Sequence, residues 1–114
     1  MILYGMKTWS YESKIKEKIF NNVPRSVVEL TDKSGFAIVG SLSEFGKNNA
    51  FILNADGTDR LILTIPHKIR DAICFNEVYY IMGELTAIIV ANGVDFACTV
   101  NSDTGEFNKI NETR

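Results

Sequence analysis

The chain has 114 residues, 46% hydrophobic and 23% charged, with a formal net charge of −2. These values describe a single globular domain over 1–114 with enough apolar content for a real core, and a pI near 5.3 argues against direct nucleic-acid binding. No apolar run approaches the roughly 18–20 residues of a membrane helix, and Met1 to Lys7 lacks the basic and apolar regions of a signal peptide, so a cytoplasmic protein without membrane contact is expected.

The first predicted element is an amphipathic helix at about 8–20. Thr8 or Ser10 caps it, Glu12 falls early, and Lys14, Lys16 and Lys18 fall late, an order that suits the helix dipole. Tyr11, Ile15 and Ile19 form one apolar stripe, and Asn21, Asn22 and Pro24 stop the helix. After it the pattern is β throughout. A first unit, about 26–65, holds strands near 26–31, 36–41, 49–54 and 60–65, separated by turn-forming clusters such as Asp32-Lys-Ser-Gly35 and Ala55-Asp-Gly-Thr58. Pro66-His67 breaks the pattern. A second unit, about 78–111, holds strands near 78–83, 86–91, 94–100 and 106–111, with Asn92-Gly93 as the strongest short hairpin signal.

The two units repeat one another. Phe36-Ala-Ile-Val39 matches Thr86-Ala-Ile-Ile89, and Asn54-Ala-Asp-Gly57 matches Asn101-Ser-Asp-Thr-Gly105 with one residue inserted. A competing register sets Phe36-Ala-Ile-Val-Gly40 against Tyr79-Tyr-Ile-Met-Gly83. In either register the fold class is mainly β: two four-stranded antiparallel meanders, propeller-blade-like, plus one short N-terminal α-helix. Two blades cannot close a ring, so they must stack. Their interior strands read apolar on both faces, and the 8–20 helix is the natural cover for a remaining face.

No catalytic constellation emerges. His67 is the single histidine and follows Pro66 in a connection with no nucleophile nearby. Asp103-Thr-Gly105 spells the aspartic-protease tripeptide but lacks the preceding apolar pair and the following strands, so it reads as a turn whose glycine takes positive φ. Asn54 to Asp59 opens like a calcium loop, yet Ile65 stands where the closing acid belongs. Cys74 and Cys98 have neither zinc-site nor disulfide-scaffold spacing and read as buried thiols. The expectation is no enzyme, no metal and no cofactor.

Charge is the remaining signal. Residues 1–70 carry ten Lys/Arg against seven Asp/Glu, whereas residues 71–114 carry seven acids against only Lys109 and Arg114. The chain resembles half-β-propeller-like bacterial immunity proteins of contact-dependent growth inhibition systems. The likeness covers 26–111, and its residues are Phe51-Ile-Leu-Asn-Ala-Asp-Gly57 and Cys98-Thr-Val-Asn-Ser-Asp-Thr-Gly105. The resemblance implies a monomeric cytoplasmic antitoxin that caps the active site of a cognate toxin, often a nuclease. A nuclease site is basic because it holds phosphates, so an acidic inhibitor surface suits it. The candidate partner-binding residues are the acids Glu77, Glu84, Asp95, Asp103 and Glu106, with Tyr79 or Tyr80 as apolar anchor; adjacent on a strand, the two tyrosines face opposite sides. The alternative is a small-ligand-binding or regulatory domain that homo-oligomerises through open edge strands.

Overall fold

The computed structural model describes residues 23–113. Eight strands follow in order: β1 (Ser26–Glu29), β2 (Gly35–Val39), β3 (Ala50–Asn54), β4 (Asp59–Leu63), β5 (Ala72–Ile81), β6 (Glu84–Ala91), β7 (Val94–Val100) and β8 (Phe107–Thr113), with one helical turn α1 (Leu42–Phe45) between β2 and β3. They make two four-stranded antiparallel sheets, β1-β2-β3-β4 and β5-β6-β7-β8, each paired in chain order. The mainly-β pair of meanders predicted above is the observed architecture. The helix expected at 8–20 lies outside the described residues.

Strand position decides the repeat register. Phe36 to Val39 and Thr86 to Ile89 both lie on second strands, and the Asn54 and Asn101 turns both join third to fourth strands. The competing register fails, because Tyr79 to Ile81 end a first strand. Both repeated turns are built by their own side chains. Asp56 Oδ1 accepts from Thr58 N at 3.0 Å, and Asn101 Oδ1 accepts from Asp103 N at 2.8 Å. Gly105 takes φ 80°, as the turn reading of Asp103-Thr-Gly105 requires.

Most strand ends fall within two residues of expectation, and two features depart further. β5 starts at Ala72 rather than near 78, because its first half pairs with β6 across two register shifts, at Ala72/Cys74 and Phe75/Glu77. Bulges break the two-residue alternation by which a strand is recognised. The α1 turn is too short to show helical periodicity, although Ser41 caps it by accepting from Glu44 N at 3.2 Å.

One face of each sheet meets in a shared core. Ala37, Val39, Ala50, Ile52 and Leu63 of the first sheet cluster with Phe75, Val78, Leu85, Ala87, Ile89, Cys98 and Val100 of the second. The other face of the first sheet is apolar too. Val27, Ile38, Phe51 and Ile62 form one cross-strand row, and Phe45 of α1 packs edge-on against Phe51 at 4.8 Å. Ile62, on β4 at the edge of the sheet among the described residues, is 61% exposed.

Side chains of the first sheet also cover the edge of β5. Ser26 Oγ accepts from Val78 N and donates to Val78 O, both at 3.1 Å. Asn49, 0% exposed, accepts from Phe75 N at 2.8 Å, while its Nδ2 donates to Phe75 O at 2.9 Å and Gly40 O at 2.7 Å. These polar side chains stand where a neighbouring strand would, so β5 does not present a bare edge along this stretch. Across the molecule, Arg60 of β4 reaches Asp103 of the β7–β8 turn at 3.4 Å.

Candidate functional site

The face of the second sheet turned away from the core displays four of the seven predicted residues. Val78, Leu85, Ala87, Ile89 and Cys98 point into the core, so alternation sends Glu77 and Tyr79 of β5, Glu84 of β6 and Asp95 of β7 outward. Pairing sets Glu77 opposite Ile88, Tyr79 opposite Thr86, Ile81 opposite Glu84 and Val90 opposite Asp95. Thr86 and Ile88 are buried at the centre, while Glu77, Tyr79, Ile81 and Glu84 stand exposed beside them. The exposed part of this surface sets the apolar side chains of Tyr79 and Ile81 beside the acids Glu77 and Glu84.

Tyr80 does the opposite of Tyr79, as adjacent strand positions must. It packs against the shared core, and its hydroxyl oxygen accepts from Thr31 N at 3.1 Å, tying the two sheets together. Tyr79 is therefore the anchor candidate. Tyr80 instead joins Glu84 and Asp103 in lining a polar hollow of about 330 Å³, with Asn101 and Asn108 beside them. Glu106 lies on the same β7–β8 turn as Asp103, and its N–H donates to Thr104 Oγ1. Thus Glu84 belongs to both groups: the outer face with Glu77, Tyr79 and Asp95, and the hollow with Tyr80 and Asp103.

Two acids have internal partners. Lys109 Nζ lies 3.3 Å from Glu84 Oε1, and Arg60 pairs with Asp103. The exposed Lys109–Glu84 pair contributes about 0–1 kcal/mol, so an incoming cation can replace it at small cost. Glu77 and Asp95 have no ion-pair partner among the described residues.

Met82 was absent from the sequence candidates. It sits at the β5–β6 hairpin tip, 96% exposed, beside Ile81. Met82 and Gly83 both have positive φ, 50° and 81°, the pattern of a type I′ turn. A side chain other than Asn or Asp is strained there. The available signal was a methionine in the first position of a two-residue turn. Asn92-Gly93 does make a two-residue hairpin between Ala91 and Val94, but only its glycine takes positive φ.

Other sequence candidates separate. His67 is exposed on the connector between the sheets, and Cys74 and Cys98 are buried free thiols. No group of three His, Cys, Asp or Glu among the described residues is placed to hold a metal ion. Among the same residues no helix is long and apolar enough to cross a membrane. Comparison with family models, curated proteins and solved structures finds no match.

Proposed function

We propose that this protein is an immunity protein, a cytoplasmic antitoxin that binds a cognate secreted bacterial toxin and blocks its active site, the toxin being a nuclease. The observation that carries the reading is the outer face of the second sheet, where Glu77 and Glu84 flank exposed Tyr79 and Ile81, with Asp95 farther along β7 and Met82 at the rim. Acids on such a face steer a basic partner and exclude others, while the tyrosine and methionine supply buried area. The strained, fully exposed Met82 supports the same reading, because a residue held in an unfavourable backbone region is often kept for contact. No catalytic role is assigned to any residue.

The test is a pull-down with the product of the adjacent upstream gene, followed by binding kinetics of the triple variant Glu77→Lys, Glu84→Lys, Asp95→Lys. Affinity should fall at least roughly a hundredfold, with much of the loss in association rate. An unchanged affinity for the captured toxin would remove the acidic face from the interface.

A second reading, a homo-oligomeric small-ligand-binding or regulatory domain, draws on β4, an edge strand among the described residues, with Ile62 exposed upon it. Solution mass separates the two: a monomer fits the antitoxin, and an obligate dimer fits edge pairing.

A further inference from the structure

A second concavity opens at the seam between the sheets, where the 46–49 loop, the 64–71 connector and the start of β8 converge. Its volume is about 520 Å³, within the roughly 300–1,000 Å³ of small-molecule sites. Ile65, Ile69 and Phe107 supply apolar walls. Ile69 is buried in the shared core, and Phe107 stacks on the fully buried Phe75 ring with centroids 6.3 Å apart, so these walls are held by the core. The connector is pinned as well, since Ile65 N donates to Asn48 Oδ1 at 3.0 Å and Ile69 N to Pro66 O at 3.1 Å.

The polar lining is one-sided. Lys47, Asn48, Thr64 and His67 face the cavity, and no Asp or Glu among the described residues lines it. With its Oδ1 engaged by Ile65, Asn48 keeps an Nδ2 donor without a partner among the described residues. Lys47, Thr64 and His67 have no side-chain hydrogen bond or ion pair among the described residues. Unspent donors around an apolar floor, without a competing carboxylate, match a ligand with an anionic head and an apolar body.

We infer that this seam is a binding site for a small organic carboxylate with an apolar body. Lys47 and His67 take the carboxylate, assisted by Asn48 Nδ2 and Thr64 Oγ1, and the hydrocarbon lies against Ile65, Ile69 and Phe107. The site does not rest on the antitoxin reading; none of the seven candidates lines it, although Gly105 and Phe107 flank Glu106 in the chain, and it can be tested without any toxin.

The experiment is a titration of the full chain, followed by amide chemical shifts, with sodium octanoate, octanamide and sodium acetate. Octanoate should give saturable shifts clustered at residues 47–48, 64–69 and 105–107, with a dissociation constant below about 1 mM. Octanamide, lacking the charge, and acetate, lacking the body, should each bind at least roughly tenfold more weakly. Lys47→Ala and His67→Ala alter exposed residues, so both should keep the wild-type melting temperature while weakening octanoate roughly fivefold each. The inference is overturned by an absence of saturable shifts up to about 10 mM octanoate, by equal binding of octanamide, or by shifts scattered over the surface. Unaltered octanoate affinity in both variants overturns it equally.

Discussion

At Asn49 one carboxamide serves both sheets. It satisfies the N–H and C=O of Phe75 and the C=O of Gly40 in a setting closed to water. Asn49→Ala would orphan all three backbone groups, and a buried unsatisfied group costs about 1–3 kcal/mol. Stability should therefore fall by about 3 kcal/mol or more, read as a lower urea midpoint with an unchanged slope. In sequence Asn49 reads merely as the first residue of a strand, and nothing local marks it as the weld. Cys98 makes a different kind of prediction. Burial in the core pushes its thiol from 9.0 up to about 11. The unfolded chain ionises this thiol from about pH 9 and the folded chain only near 11, so stability is whole below pH 9 and falls as pH rises towards 11. The loss should be about 2 kcal/mol and should disappear from the pH profile of Cys98→Ala, measured by urea melts at several pH values.

Turns and bulges decide how the elements sit. The β5–β6 hairpin turns through Met82 at φ 50°, a position that Asn adopts more readily. Met82→Asn should raise stability by about 0.5–1 kcal/mol in thermal melts, since the methionine side chain is outside the core. If Met82 serves the partner face, the same substitution should weaken toxin binding, an opposition that a purely structural residue would not show. Gly35 answers to a different constraint. A Cβ there would collide with the carbonyl oxygen of Leu53 on β3, so Gly35→Ala should cost about 2 kcal/mol by the same melts. The turn residues Asn54 to Thr58 and Asn101 to Gly105 were legible in sequence because each turn is closed by its own side chains. The first half of β5 was not, because its two bulges interrupt the alternation.

Across the whole molecule, charge and apolar surface divide between regions. The acids read from the sequence become an outer face with Glu77, Glu84 and Asp95, and a turn with Asp103 and Glu106. The toxin binding proposed for that face should weaken steeply as salt rises, and the triple lysine variant should lose most of that dependence along with its fast association. Comparing association rates at low and high ionic strength checks this directly. Of the seven candidates, Tyr80 is diverted to the core side by strand alternation, and Asp103 and Glu106 are carried to the end of the sheet by their turn.

The sequence by itself determined the eight strands, their division into two units, the repeat turns and the excess of acids in the second unit. Those properties are local: alternation, turn chemistry and composition act over a few neighbouring residues. Tertiary structure alone decided which acids share a face, which tyrosine is exposed and what lies at the seam. Those depend on register and on residues far apart in the chain, such as Asn49 with Phe75 and Ser26 with Val78, whose partnership follows from how one sheet lies against the other.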